Sequence, residues 1–413
     1  MKVLVLNCGS SSAKFQLIET SQEAIKSGNE KRLAKGIVER IGTDTAKKKI
    51  SSAGKEPFEE ILPIPDHTAA IKAIVDMLTN PGHGTISDKS EIDAVGHRVV
   101  HGGETFTHSC MINEKVLAKI KECIPLAPLH NPHNIKGYEI CKQLLGDTPH
   151  VAVFDTAFHQ SMPPYTYTYA LPYEYYKEKR IRRYGFHGTS HRYVARRVLR
   201  LFDRQKEDCN IITVHLGNGA SIAAVKKGNV LDTSMGFTPL EGLVMGTRCG
   251  DIDPAVILYL METESMDVGA MNKMLNKKSG LLGISGISND MRELEIASDE
   301  GDKKADLAID IFCYRIRKYI GAYTTAMGGV DFIVFTAGIG ENSEIVRERC
   351  CRGLESIGAF IDSDKNVAVS GKEGPFSTED SRVTLCVIPT NEELVIAHDT
   401  VEAVKGLIEC APK

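Results

Sequence analysis

Val3-Leu-Val-Leu-Asn-Cys-Gly-Ser-Ser-Ser-Ala-Lys-Phe-Gln-Leu-Ile18 opens the chain as an apolar run, a polar turn over residues 7–14 and a second apolar run. The pattern reads as strand, tight turn, strand. Residues 210–227 repeat the plan: Ile-Ile-Thr-Val, then His-Leu-Gly-Asn-Gly-Ala-Ser (215–221), then Ile-Ala-Ala-Val. Gly9 aligns with Gly217 at close to half the 413-residue length. Such self-similarity predicts two related halves, each opening with a β-hairpin whose turn faces a cleft. A third glycine-bearing element is Val-Asp-Phe-Ile-Val-Phe-Thr-Ala-Gly-Ile-Gly-Glu-Asn-Ser (330–343), a buried strand running into Gly338 and Gly340 and then into a helix from Glu344. Free N–H groups at such a helix start favour anions. It is neither a P-loop nor G-x-G-x-x-G.

The chain is too long for one core, so two domains are expected. The reading sets them at 1–155 with a C-terminal return about 392–413, and at 156–391, with a linker near 150–160. Alternating strands and helices point to α/β. A net charge of -4 gives no reason to expect nucleic acid or an anionic membrane as partner. The eleven cysteines never form C-x-x-C and read as reduced cytosolic thiols, not disulfides or a zinc site. The opening apolar run is too short for a signal-peptide core, and no segment approaches a membrane span. A cytoplasmic protein is expected. Residues 21–55 are lysine-rich and read as a solvated edge of the first domain. Residues 302–327 have helical periodicity through Leu307, Ile311, Tyr314 and Ile320, and 164–172 read as an aromatic strand-like stretch.

Ten of the thirteen histidines lie between His97 and His215. The i, i+4 pairs His97/His101 and His187/His191 would suit zinc on a helix, but neighbouring glycines argue against helix and H-E-x-x-H is absent. His130 and His133, around Asn131-Pro132, read as loop hydrogen-bonders. Arg98, beside an apolar strand and a glycine pair, is either a structural ion pair or a cleft residue. Asp155 ends an apolar strand, where α/β proteins bind ligands, or else caps a helix. Glu392 and Glu393 either hold Mg²⁺ or begin a helix.

Residues 236–254, Gly-Phe-Thr-Pro-Leu-Glu-Gly-Leu-Val-Met-Gly-Thr-Arg-Cys-Gly-Asp-Ile-Asp-Pro, form neither helix nor regular strand. This backbone, dictated at many points, suits placement of the Arg248 guanidinium on a carboxylate or phosphate. An ordinary surface turn is the plain alternative. Two arginines, an Asp, an Asn, a Glu, Lys14 and several glycine turns together describe phosphoryl transfer.

Eight motifs then carry a resemblance: Asn-Cys-Gly-Ser-Ser-Ser-Ala-Lys-Phe (7–15), His-Arg-Val-Val-His-Gly-Gly (97–103), Phe-Asp-Thr-Ala-Phe-His (154–159), Arg-Arg-Tyr-Gly-Phe-His-Gly-Thr-Ser-His (182–191), His-Leu-Gly-Asn-Gly (215–219), the 236–254 loop, Gly-Ile-Gly-Glu-Asn (338–342) and Pro-Thr-Asn-Glu-Glu (389–393). In order and over nearly the whole chain they resemble the acetate kinase family. The resemblance implies the duplicated α/β two-domain fold of sugar kinases, actin and heat-shock ATPases, with the active site in the interdomain cleft. It also implies a homodimer and the reversible reaction of ATP with acetate to give ADP and acetyl phosphate. Asn7 and Glu392 would serve Mg²⁺ (or Mn²⁺), and Ser10, Ser12 and Lys14 would lie near the phosphates. Arg98 and Arg248 would bind the substrate carboxylate and the transferred phosphoryl, His187 would stabilise the transition state and Asp155 would be the catalytic acid. His215, Leu216, Gly217, Asn218, Gly219, Asp290, Met291, Arg292, Gly338, Ile339, Gly340, Glu341 and Asn342 would line the ATP/ADP site. Val100, Leu129, Phe186 and Pro239 would form the pocket for the methyl group. The lysine-rich segment before residue 56 looks longer than the family's pattern and touches no motif.

A carboxylate substrate is already ionised at neutral pH and needs no base. The expectation is therefore that Asp155 positions Mg²⁺ and orients an arginine, with direct in-line transfer rather than a phospho-enzyme. Propionate kinase differs by a methylene in the pocket, worth only about 1–3 kcal/mol of discrimination. A heat-shock-type ATPase module would need a peptide-binding domain, for which no residues remain.

Overall fold

The opening run becomes strand β1 (Lys2–Cys8), and the Gly-Ser turn folds the chain back into β2 (Ser12–Glu19), with Val3 opposite Ile18 and Cys8 opposite Ala13. The Gly9 N–H closes the turn on the Ser12 carbonyl at 2.8 Å. The computed structural model describes residues 1–128, 130–408 and 410. It divides into two units, 1–158 with the return from Asn391, and 159–390, where the sequence reading set 155/156 and 391/392.

In unit 1 the sheet continues through β3 (Lys31–Glu39), β4 (Thr43–Ser52), β5 (Phe58–Ile64), β6 (Ala94–Val99), β7 (Cys110–Met111) and β8 (His150–Phe154), in the order β5-β4-β3-β2-β1-β6-β8-β7. β1 runs parallel to β6, and β6 parallel to β8. The two-residue period of β1 sends Leu4 and Leu6 to one face, against Ile71, Ile74 and Ile140, and Val3 and Val5 to the other, against Ile396 and Val401. The second face is covered by the helix Glu392–Val404. It sits so close to β6 that a Cβ at Gly96 would lie 2.4 Å from Thr400 Oγ1 and 2.6 Å from Ile396 Cγ2. This close approach sets the helix start, and hence Glu392, beside the end of β6.

Unit 2 repeats the pairing. Strands β9 (Asn210–Leu216), β10 (Ala220–Lys226), β11 (Asn229–Thr233), β12 (Phe332–Thr336), β13 (Gly374–Pro375) and β14 (Thr384–Val387) order as β11-β10-β9-β12-β14-β13. Again a hairpin leads (β9–β10), its first strand is parallel to the next, and that to the one after. The short antiparallel edge β13 corresponds to β7. This is a duplicated α/β fold, and both glycine hairpins occupy the same place in it.

Several expectations are corrected. Cys110 on β7 and Cys410 form a disulfide across 300 residues of sequence, so the eleven thiols are not all reduced. Spacing along the chain cannot register a pair that only the return past Asn391 brings together. The helix Lys303–Met327 exists, but Leu307 and Tyr314 are 52% and 58% exposed. Ile320 is buried as expected, but the inner stripe reaches it through Ala308, Phe312 and Ile316 and continues to Tyr323. The stretch 164–172 is not a strand: Pro164 starts a short helix, Pro164–Tyr167, as proline's missing N–H and fixed φ favour. Asn131-Pro132 likewise begins the helix Asn131–Leu145 and is no loop; His133 lies in its first turn, stacked on His67. A helix also starts at Gly188, directly after His187, although the glycine argued against one. Leu129 lies outside the described residues.

Candidate active site

Two sets of polar side chains gather at strand ends, one in each unit. In unit 1, β6 and β8 are in parallel register, with Val99 opposite Phe154. Arg98 therefore reaches Asp155, the residue after β8. Its Nε donates to both carboxylate oxygens (3.0 and 3.1 Å) and its Nη2 to Oδ2 (2.5 Å). Asp155 is buried, and Glu392 lies 3.9 Å from the same Nη2. Burial opposes charge on Arg98, but Asp155 and Glu392 outweigh it and raise its pKa. Burial pushes the Glu392 carboxyl up to about 7, assisted by Asp155 and Glu393 and opposed by Arg98 and Lys14.

Lys14 thus acts on Glu392 electrostatically, and its partner across the hairpin is Asn7. Ser10 is exposed and Ser12 half-buried on the same turn, which the His67 ring holds through the Gly9 carbonyl at 2.7 Å. After β6, Val100 N–H donates to Asn134 Oδ1 (3.1 Å), while Asn134 Nδ2 donates to the Cys8 carbonyl (2.8 Å). One asparagine so ties the ends of β1 and β6 together.

In unit 2, His187 stands at the start of the helix Gly188–Leu201 with a φ of 57°, a left-handed conformation that costs a non-glycine residue energy. Its Nδ1 and the Nε2 of His191 share the Ser221 hydroxyl, at 2.9 and 2.8 Å. Its ring stacks on His215 at 4.2 Å. Arg248 converges on the same place: a Cβ at Gly219 would lie 3.5 Å from Arg248 Nη1 and 3.5 Å from His187 Nε2.

Arg248 differs from Arg98 in its partners. Its Nη1 meets the Pro239 carbonyl at 3.2 Å and the Met245 Sδ at 3.6 Å, and among the described residues no carboxylate lies within ion-pair distance. Burial alone shifts it, downward. A half-buried guanidinium lacking an acidic partner favours an incoming anion.

Beside this set lies a cavity of about 610 Å³, a volume typical of small-molecule sites. Of the expected nucleotide residues, Gly217, Asn218, Asp290, Met291, Arg292, Gly338, Ile339 and Asn342 line it. His215, Leu216, Gly219, Gly340 and Glu341 do not. Glu341 turns its carboxylate back onto the N–H groups of Ala337 (2.7 Å) and Thr390 (3.0 Å). Ala337 itself has a φ of 64°.

Asn289, Glu295 and Ser343 also line the cavity and were missed by sequence reasoning. Asn289 and Ser343 directly adjoin recognised motifs, and Glu295 lies on the helix Met291–Asp299 that Asp290 caps, so helical phase was the available signal. Arg347 was missed as well. Fully buried, it donates to the carbonyls of Gly340 (2.9 Å) and Glu341 (3.0 Å) and to Asn366, holding the segment from behind. Nothing in its sequence surroundings marks it.

His97 Nε2 faces His150 Nδ1 at 2.9 Å, both rings are buried, and burial lowers both pKa values, that of His150 to about 4. Among the described residues no group of three or more His, Cys, Asp or Glu is arranged to hold a metal ion. Among them, too, no helix is long and apolar enough to cross a membrane.

A family model described as the acetokinase family matches residues 2–398. The acetate kinase of Thermoanaerobacterium thermosaccharolyticum is 56% identical over 408 residues, covering 98% of this chain and 100% of that one. The crystal structure of Porphyromonas gingivalis acetate kinase superimposes with a TM-score of 0.92 at 48% identity, covering 98% of this chain and 99% of that one. A propionate kinase from Francisella tularensis gives 0.89 at 44% identity, with 97% and 98% covered.

Proposed function

This chain belongs to the acetokinase family, and from that premise we propose the roles by which its residues carry phosphoryl from ATP to acetate. The reaction is reversible and yields acetyl phosphate and ADP. The observation that carries the assignment of roles is the contrast between the two arginines: Arg98 is already paired with Asp155, while Arg248 has no acidic partner among the described residues.

Arg248, with His187 beside it, neutralises the phosphoryl group in transfer, and Arg98 orients the acetate carboxylate. Asp155 orients Arg98 and is no base, because the acceptor arrives ionised. Transfer is direct and in line. The cavity lined by Gly217, Asn218, Asp290, Arg292, Gly338 and Asn342 takes the nucleotide, and Lys14, Ser10 and Ser12 are the residues assigned to phosphate. Val100, Phe186 and Pro239 are the described residues assigned to the methyl group.

Glu392 and Asn7 present the hard oxygen donors that Mg²⁺ or Mn²⁺ takes, too few for an all-protein cage but suited to an ion carried on phosphates. Bound there, the ion would neutralise phosphate charge. The protein is assigned to the cytoplasm, without nucleic acid or membrane as partner.

A homodimer is supported by the helix Pro254–Thr263, Pro-Ala-Val-Ile-Leu-Tyr-Leu-Met-Glu-Thr, in which no residue is buried. Leu258 and Tyr259 are 69% and 65% exposed, and a second copy of the chain is the occupant proposed for this face. Sedimentation should give a dimer that Leu258→Asp dissociates; a wild-type monomer would contradict it.

Incubation with ATP, acetate, Mg²⁺ and hydroxylamine should give acetohydroxamate in step with ADP. ADP without hydroxamate would defeat the assignment. Similarity to a propionate kinase keeps a second acceptor in view, and competing kcat/KM values for acetate and propionate decide between them.

A further inference from the structure

Tyr169, Arg183 and Glu241 have no part in the roles above, yet they meet on the loop that carries Phe237, Pro239 and Arg248. Glu241 is the hub. Its Oε1 accepts from Arg183 Nη2 at 2.5 Å, and its Oε2 accepts a short bond from the Tyr169 hydroxyl. The same hydroxyl accepts from the Phe237 N–H at 2.9 Å. Arg183 Nη1 gathers the carbonyls of Thr233 (2.7 Å), Ser234 (3.2 Å) and Met235 (3.4 Å), and its Nε lies 3.6 Å from Asp232.

The backbone is stitched in parallel. Tyr184 N–H donates to the Gly236 carbonyl at 3.0 Å, and Arg183 N–H to that of Tyr167 at 2.7 Å. Gly236 admits no side chain, since a Cβ there would fall 1.7 Å from Glu241 Oε2 and 2.2 Å from the Tyr169 hydroxyl. Burial, then Glu241, raises the Tyr169 pKa, so the phenol stays a donor. Arg248 in turn donates to the carbonyl of Pro239, at the end of the segment so held.

We infer that Tyr169, Arg183 and Glu241 form a positioning clamp which fixes the acceptor wall at 237–239 and, through the Pro239 carbonyl, the Arg248 guanidinium, and so sets discrimination between carboxylate acceptors of different length. The inference rests on the reading of that segment as acceptor wall. The aromatic stretch from Pro164 thereby gains a purpose, since it carries the phenol that receives Phe237. An arginine is needed at 183 because three backbone carbonyls and a carboxylate converge there, which a fork satisfies and an ammonium does not. The clamp acts through the Phe237 N–H and the backbone carbonyls of 233–235, so its effect is on geometry alone.

The test uses Tyr169→Phe and Glu241→Gln in the full-length enzyme, with kinetics for acetate, propionate and ATP. Losing the hydroxyl leaves the ring but removes two hydrogen bonds, so kcat/KM for acetate should fall about 10-fold. The acetate-to-propionate ratio should fall with it, by about threefold or more, while KM for ATP stays within about twofold, because the nucleotide residues lie elsewhere. A variant that melts earlier but retains wild-type kinetics and selectivity per folded molecule would overturn the clamp, leaving these residues structural.

Pro239→Ala separates the two levels. If it changes the acceptor ratio while both clamp variants leave the ratio unaltered, the clamp is wrong and the wall stands. If it leaves the ratio unaltered, the wall itself is wrong and the clamp falls with it. Gly236→Ala supplies a stronger perturbation of the same hub, and its failure to fold leaves the milder Tyr169→Phe result decisive.

Discussion

Replacing Asp155 with Asn removes a charge from a buried carboxylate both of whose oxygens receive the Arg98 guanidinium. The amide keeps one acceptor and turns an NH₂ group against the fork. Breaking a buried pair from one side costs about 3–5 kcal/mol. Here Glu392, 3.9 Å from the same guanidinium, takes over part of the compensation, so a stability loss of about 2–3 kcal/mol is expected. The larger effect is on rate. Arg98 swings toward Glu392, and a displacement near 1 Å costs about 10²-fold in a positioned reaction. With the charge also misplaced, kcat should fall about 10²–10³-fold, or about 3–4 kcal/mol. The assay is the pH–rate profile of kcat, with ADP release coupled to a dehydrogenase. A reduced amplitude is the expected result, with any movement of the profile limited to the downward shift that Glu392 undergoes on losing its Asp155 neighbour. Near-full activity at a shifted optimum would mean that Asp155 exchanges a proton in the reaction, refuting its role as an orienting group.

Arg248→Ala should lower kcat/KM for acetate by about 10³-fold, and Arg248→Lys should recover only part, lacking the fork; full recovery by lysine would show that a point charge suffices. Burial depresses the pKa of both rings of the His97–His150 pair, that of His150 from 6.5 to about 4. The unfolded chain then binds more protons than the folded one over that window, so stability should fall as pH drops from 6.5 toward 4, and His150→Gln should flatten the slope. Denaturant titrations that are pH-independent across the window would contradict this. Cys410→Ser should cost stability on the scale of a native disulfide, about 2–4 kcal/mol. Reductant should lower the wild-type melting temperature and leave the variant unaffected; a wild type indifferent to reductant would exclude the Cys110–Cys410 bond.

Local chemistry explains what was legible in the sequence. Gly9 and Gly217 stand in polar turns between paired apolar runs, so the hairpins and their repetition could be read directly from the pattern. The extent of the helix Lys303–Met327 was equally plain, but its buried face was not. Leu307 and Tyr314 satisfy the same periodicity as Ala308 and Phe312, and only the neighbours decide which stripe turns inward. The side chains that gather at strand ends, Arg98 with Asp155 and His187 with Arg248, could be read because each motif is contiguous. Their supports were not, because Arg183 and Glu241 stand 58 positions apart and Tyr169 a further 14 before Arg183 in the chain. The Cys110–Cys410 bond fails to show for the same reason. Glu341 illustrates a subtler limit: the motif identified the segment, yet the side chain folds back to cap Ala337 instead of lining the cavity.

Direct transfer between ATP and the acceptor is the central claim, and a rapid-quench experiment with γ-labelled ATP tests it most directly. Enzyme mixed with labelled ATP and Mg²⁺ should carry no stoichiometric label until acetate is added, whereupon label should pass into acetyl phosphate in a single phase. A labelled protein formed without acetate, and able to phosphorylate acetate on chase at the catalytic rate, would contradict it.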